Sequence, residues 1–335
     1  STVMYQKGNP LYIEHNGIPL CELMKSNLKL KLDTNQIGDN QFIRVSDTIA
    51  KLEKLPVCQK NIDEITSMEI QEYLNSIKHL STSSIKKEYQ QFNQAFKMAI
   101  NKGYLMRNPM SEVIMPKSNR EEKEVRALTL DEQQAFTDYL TNDDLAKYRY
   151  KNVFLFQMYM GLRIGEALAL STYDIDLKHK KINVHRTLTL DNDKHIIMGN
   201  KTKTYSGKRV VPFPDFLMPY LIEQIKIANN QKNNDEQLLF KPQNSKYVKG
   251  RHVNDKLKEI LSQNFGITDI TTHSLRHTFG TRCIEAGMSA VVVQKLMGHK
   301  DIGVTLNTYM SVFDKFKQSE VEKVNQYYMN ENLIS

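Results

Sequence analysis

The sequence predicts a mainly α-helical protein with one small antiparallel β-sheet, an α+β fold. Three observations lead there. Apolar residues recur at helical spacing, as in Ile85, Tyr89, Phe92, Phe96 and Ala99, which puts them on one stripe of a helix. Helix-opening pairs recur as well: Thr66 with Glu69 and Thr129 with Glu132 are spaced so that each side chain meets the other's free backbone donor. The period shortens to two in KINVHRTLTL and HIIMGNKTKTYSGKRVVPF, residues 181–190 and 195–213. Turns at residues 191–193 and at Ser206-Gly207 divide that region into three strands of one sheet.

At 335 residues, 40% of them hydrophobic, the chain can bury a substantial core and is long enough for two domains. Spanning a bilayer takes about 20 consecutive apolar residues, and the longest apolar runs fall well short of that. The first ten residues, STVMYQKGNP, lack a secretory pattern. The expectation is therefore a cytoplasmic protein with no membrane partner. Cys21, Cys58 and Cys283 are too few and too scattered for a disulfide framework or a zinc cluster, and read as reduced structural thiols. A formal charge of +8 favours a polyanionic partner without identifying it.

Taken in order, residues 19–32 alternate closely enough to be helix or strand, and residues 32–40 read as a turn. Residues 42–55 are helical, followed by the helix that Thr66 and Glu69 open. A further helix opens at the Ser81–Ser84 cluster, with Lys86, Lys87, Gln90 and Lys97 off its apolar stripe. Such a face is usually only solvated. Gly103, Asn108, Pro109 and Pro116 end the helical run, and the charged stretch that follows contains an interdomain linker at 119–126. These boundaries give a helical domain over 1–118, with 1–40 uncertain, and a second domain over 127–315. The second domain begins with helices, including the nearly uncharged run VFLFQMYMG, residues 153–161, which leads into GLRIGEALAL, residues 161–170. After the sheet come a helix near 215–229, a polar loop, and the basic segment SKYVKGRHVNDKLKEIL, residues 245–261, a loop entering a helix.

The chemistry concentrates in HSLRHTFGTRCIEAG, residues 273–287, and LMGHKDIGVTLNTYM, residues 296–310. On a helix, His273 and Arg276 project from one face, and His299 and Tyr309 follow. A guanidinium fork, imidazoles and a phenol suit work on a phosphate. A phenol of pKa roughly 10 attacks poorly at neutral pH unless cations stabilise charge at its target. Arg163, delivered by the apolar run, supplies a second guanidinium.

In that order and spacing these residues resemble the tyrosine recombinases of the phage-integrase family. The family's site has an arginine in a G-L-R-x-x-E segment, a lysine on a β-hairpin, an H-x-x-R box, a later G-H and a tyrosine nucleophile. The matching positions are Arg163 with Glu166, His273 with Arg276, Gly298 with His299, and Tyr309. KTYSGKRVVP, residues 203–212, fits the family's lysine hairpin and nominates Lys203, with Lys201 as rival. The family often has histidine two positions after the tyrosine; Ser311 stands here. The resemblance covers most of residues 60–325 and is closest to integrases of conjugative transposons, prophages or other mobile elements of low-GC bacteria.

The resemblance implies a helical core-binding domain and a catalytic domain that together form a C-shaped clamp on double-stranded DNA. It makes Tyr309 the nucleophile of a 3′-phosphotyrosyl intermediate, Arg163 and Arg276 the grip on the scissile phosphate, and His299 a further donor to it. Lys203 is then the general acid, His273 the acceptor of the tyrosine's proton, and Glu166 an orienting group. It raises Lys86, Lys87, Gln90 and Lys97, and likewise Lys246, Lys249 and Arg251, to candidate DNA contacts. Strand exchange through a Holliday junction implies a homo-tetramer, with an excisionase or DNA-bending protein as a further partner. The tail, residues 316–335, is expected to be a helix exchanged between subunits or folded back on its own domain. The family often carries a small N-terminal domain for accessory DNA sites. Residues 1–40 are too little sequence for one, and since the chain starts at Ser1 without a methionine, removal of such a domain is a hypothesis that the intact mass of the natural protein would settle.

Other readings stay open. His273 and His277 have the spacing of two zinc ligands, with His299 as a third. Against metal, Arg276 would sit beside a dication, and no carboxylate lies between the histidines. No metal or other cofactor is therefore expected, because the covalent intermediate retains the bond energy. A housekeeping chromosome-resolution recombinase, a type IB topoisomerase and a non-catalytic DNA-binding protein are the remaining alternatives.

Overall fold

The computed structural model describes residues 17–121, 125–142, 150–191, 193–200 and 208–331. The chain divides into two compact units, residues 1–124 with 190–195, and residues 125–189 with 196–335.

The first unit is built from α1 (Leu20–Asp33), α2 (Asp39–Leu52), the single turn α3 (Pro56–Gln59), α4 (Ser67–Ser76) and α5 (Thr82–Asn101). Residues 19–32, ambiguous in sequence, are therefore helical. Thr66 and Glu69 form the reciprocal cap expected of them, and Ser81 caps α5 by accepting from the Ser84 amide. Ile85, Phe92, Phe96 and Ala99 lie in a core shared with Leu20, Leu52, Ile70 and Leu74. Each such large side chain contributes about 1.5–3 kcal/mol by leaving water. Two polar side chains of α5, Glu88 and Gln91, are buried with it. The buried Glu88 accepts from Lys51 Nζ at 2.5 Å and from the Tyr73 hydroxyl at 2.5 Å.

The second unit is organised around α7 (Lys151–Met160), whose Val153, Phe154, Leu155, Phe156, Met158 and Met160 are all buried. A helix that is apolar on every side has to be surrounded. It packs against α6 (Leu130–Thr141), α9 (Met218–Asn229) and α11 (Thr272–Glu285). Thr129 and Glu132 cap α6 reciprocally. The one-turn α8 (Ile164–Ala167), α10 (Gly250–Phe265), α12 (Ala290–Met297) and the long helix α13 (Ile302–Asn330) complete the helices. No helix among the described residues is long and apolar enough to cross a membrane. The three cysteines are free and buried.

The β region differs from the single sheet expected. β1 (Ile175–Asp176), β2 (Lys181–Val184) and β5 (Arg209–Pro212) form an antiparallel sheet in the order β1-β2-β5, whereas β3 (Arg186–Leu190) and β4 (Ile196–Asn200) form a separate hairpin. The continuous run KINVHRTLTL breaks at His185. There Asp174 draws the chain aside, taking Arg186 Nη2 at 2.9 Å and lying 3.4 Å from His185 Nδ1. A two-residue strand such as β1 leaves no alternation to read in sequence.

Candidate active site

Gly161 ends α7 in the left-handed conformation, φ +64°, which glycine adopts without a Cβ penalty. The chain turns there, buries Leu162 and presents Arg163 at the start of α8. Glu166, fully buried, accepts from the Arg163 amide at 3.0 Å and from Arg163 Nη1 at 2.9 Å. Arg209, at the start of β5, forks onto the same carboxylate, with Nη2 2.7 Å from Oε2 and Nη1 3.2 Å from Oε1. Arg276 Nη1 lies 3.9 Å from Oε2. One buried carboxylate thus faces three guanidiniums, leaving an excess of positive charge suited to an anionic ligand.

Thr271 caps α11. From this helix His273 stands at the solvent-facing edge of the site, where partial desolvation and then the charges of Arg276 and Arg163 hold its pKa below the ordinary value. Arg276 points inward and is 2% exposed. It donates to the Gly161 carbonyl at 2.6 Å and to the Met297 carbonyl at 2.5 Å. Gln157 of α7, also buried, donates to the carbonyls of Leu162 at 3.3 Å and Thr272 at 3.2 Å. Those residues immediately precede Arg163 and His273, so a single amide ties together the two backbones that deliver them.

The third wall is the end of α12. Gly298, φ +63°, closes that helix, and the Gly298 and His299 amides fold back to Lys295 and Gln294. This leaves the last carbonyls without helical partners. Arginines take them: Arg209 Nε the Leu296 carbonyl at 2.6 Å, Arg163 the Met297 and Gly298 carbonyls at 3.3 and 2.9 Å, and Arg276 that of Met297. Cations at a helix C-terminus also meet the negative end of its dipole. His299 comes next, its Nδ1 2.8 Å from the Thr305 hydroxyl, which leaves Nε2 for another partner. Burial first, then the surrounding arginines, lower its pKa to about 4, so it is neutral at pH 7.

Tyr309 interrupts α13 with a non-helical φ/ψ of −117°/17°. Its ring is 1% exposed and stacks on His277, with centroids 4.9 Å apart and planes at 13°. The hydroxyl faces Met297 Sδ at 3.3 Å, and a Cβ added at Gly280 would lie 2.0 Å from it. Burial raises the phenol's pKa while Arg276 opposes the rise. The nucleophile candidate is therefore stored, neutral, beside the arginines.

The structure brings together Arg163, Glu166, His273, Arg276, His299 and Tyr309. Lys203 and its rival Lys201 lie outside the described residues. Lys86, Lys87, Gln90 and Lys97 stand exposed on α5 of the first unit. In the second unit Lys246, Lys249 and Arg251 are exposed around the start of α10. Lys246 there pairs with Glu236 at 2.9 Å. Sequence reasoning missed Gln157, Gly280 and Met297, which carry no reactive group; the last two stand inside the motif segments but match none of their reactive positions. It passed over Arg209 too, whose signal was its place in sequence shortly after Lys201 and Lys203.

Fold and site together define an enzyme class built to handle a phosphodiester with a tyrosine and paired arginines. A model of the phage integrase family matches residues 126–315 and one of the phage integrase SAM-like domain matches residues 22–117. The chain belongs to the phage integrase family. A tyrosine recombinase XerC-like protein of Caldanaerobacter subterraneus subsp. tengcongensis is 28% identical over 288 residues, covering 80% of this chain and 73% of that protein. Among solved structures, the Tn1549 transposon integrase bound to transposon right-end DNA matches with TM-score 0.75 at 22% identity, covering 90% of this chain and 99% of that one. A λ integrase tetramer bound to a Holliday junction matches with TM-score 0.63 at 17% identity, covering 88% and 78%. At these identities the two structures share a fold with this chain.

Proposed function

We propose that this protein is a site-specific recombinase that integrates or excises a mobile element by cutting and rejoining double-stranded DNA. The observation that carries the reading is the convergence of Arg163, Arg276 and His299 on the end of α12, with Tyr309 stored alongside. In the reaction Arg163 and Arg276 exchange their carbonyl partners for the non-bridging oxygens of the scissile phosphate, and His299 adds a hydrogen bond through Nε2. Tyr309 attacks phosphorus. The P–O bond to the 5′ oxygen breaks, leaving a 3′-phosphotyrosyl enzyme and a 5′-hydroxyl. His273 takes the phenol's proton, and Lys203 or Lys201 protonates the leaving oxygen. A 5′-hydroxyl from a partner duplex reverses the steps, so neither metal nor nucleotide is needed. The geometry described is a resting one. Tyr309 has to leave its pocket, turning about the break in α13, and Arg276 has to become accessible to phosphate.

In this reading residues 1–118 form the core-binding domain, 119–126 the linker and 127–315 the catalytic domain. The two domains clamp DNA through phosphate contacts from Lys86, Lys87, Gln90 and Lys97 on one side and Lys246, Lys249 and Arg251 on the other. Residues 316–335 are the tail that a neighbouring subunit receives. Four subunits join two duplexes through a Holliday junction, with an excisionase or DNA-bending protein setting direction, in the bacterial cytoplasm at the nucleoid. The same chemistry would also serve housekeeping chromosome resolution, a second reading that the test below separates from the first.

The test uses labelled, nicked fragments of the DNA flanking the gene, incubated with the protein and with Tyr309→Phe. The expected result is a covalent adduct at one discrete site, lost in the variant while DNA binding persists. An adduct of normal yield with Tyr309→Phe would remove Tyr309 from its role. A site at the chromosome terminus, away from any element boundary, would favour the second reading.

A further inference from the structure

We propose that Arg209 is a positioning residue for strand cleavage: by holding Glu166 and the end of α12 together, it keeps Arg163 and His299 aligned while Arg163 and Arg276 turn from protein carbonyls to the scissile phosphate. The inference rests on the recombinase reading and deepens it.

Three arginines meet at this place, and their partners separate Arg209 from the other two: Arg276, though 2% exposed, donates to the Gly161 and Met297 carbonyls, which a phosphate can replace. The Arg163 side chain is 41% exposed and can receive a ligand, whereas that of Arg209 is 6% exposed. Arg209's hydrogen bonds all run inward, in a fork to Glu166 through both Nη atoms and from Nε to the Leu296 carbonyl at 2.6 Å. Planar bidentate pairing fixes direction as well as distance. The helix end is seated closely on this side chain. A Cβ on Gly298 would come within 2.9 Å of Arg209 Nη1 and 3.2 Å of its Cδ, so it is the glycine that lets the end of α12 lie this close to Arg209.

Charge gives the second argument. Once Arg163 and Arg276 turn to phosphate, the buried Glu166 loses much of its compensation, and an uncompensated carboxylate would draw them back. Arg209 remains on Glu166 throughout, which leaves the other two cations free for the substrate. It also retains the Leu296 carbonyl when those of Met297 and Gly298 are released, so the residue preceding them, and with it the approach to His299, stays in place.

The experiment compares wild type, Arg209→Lys, Arg163→Lys and the double variant in single-turnover cleavage of a nicked site across DNA concentrations, well below each protein's Tm. For Arg209→Lys the maximal rate should fall roughly 10- to 100-fold, as for outer partners that orient a reactive group. The half-saturating DNA concentration should change by less than about threefold. The double variant should cleave within about threefold of the slower single variant, because both lesions act through one network. Wild-type rates with Arg209→Lys, a loss confined to half-saturation, or two losses that multiply would each overturn the proposal. Arg209→Gln, which keeps an amide donor, is read the same way. If neither Arg209 variant folds, Arg209 is a structural residue and the proposal fails. A wild type that never cleaves would instead refute the recombinase reading.

Discussion

Each unit buries one notable glutamate, and the two are held differently. Glu88 in the first unit is met by Lys51, whose side chain is 54% exposed, and by the Tyr73 hydroxyl. Glu166 in the second is met by Arg163, Arg209 and Arg276, the last two at most 6% exposed. Burying an ion pair is weakly favourable at best, since desolvation offsets the attraction. Glu88 keeps that cost low by leaving its cation mostly in water, and its task ends with joining α2 and α4 to α5. Glu166 gathers cations away from water, an arrangement that folding alone does not require. The contrast separates a carboxylate that closes a core from one that gathers three arginines at the candidate site.

Substitutions can sharpen or break that contrast. Glu166→Gln should have the largest effect: three guanidiniums lose their counter-ion, costing about 3–5 kcal/mol in stability and at least roughly 100-fold in cleavage. Denaturant unfolding and adduct yield check it, and a variant with normal values for both would erase the distinction. Arg163→Lys comes next. An ammonium cannot serve Glu166, two carbonyls and a phosphate with the same planar geometry, so cleavage should drop about 100-fold with DNA affinity nearly unchanged in a gel-shift titration. Glu88→Gln should lower stability by only about 1–3 kcal/mol, and its cleavage rate at saturating DNA should match the wild type; slowed cleavage there would mean that Glu88 reaches the chemistry.

The last test concerns pH. Burial, then His273, lowers the pKa of His277 from 6.5 to about 4. Between those values the unfolded chain binds the proton and the folded one does not. Stability from this group is therefore complete above about pH 6.5 and is lost as the pH falls toward 4. His299 contributes in the same direction. Melting curves of His277→Gln should show a shallower fall over that window than the wild type; identical slopes would exclude His277 from the linkage.

The helices and reactive groups were legible because each leaves a local signature. Thr66 with Glu69 is a cap by spacing, α7 is a nearly uncharged run rich in large apolar residues, and Arg163, His273, Arg276, His299 and Tyr309 are reactive types in a set order. What escaped the sequence depends on contacts between distant segments. The β2–β3 break at His185 follows from Asp174, which sits on a short turn with nothing unusual around it. Gln157 looks like any polar residue at a helical position until its amide is found between Leu162 and Thr272. Gly280 is distinguished only by the phenolic oxygen of Tyr309, far along the chain, which occupies the space its side chain would fill.

The break in α13 has a mechanical consequence. From Tyr309 to Asn330 the helix is a rod about 30 Å long at 1.5 Å per residue, with the stored phenol at its pivot. A sideways pull of about 3 Å at the far end turns such a rod by only about 6°. That small rotation is applied where the Tyr309 backbone departs from helical geometry, so the rod works as a lever: a modest grip on its tip becomes torque on the candidate nucleophile.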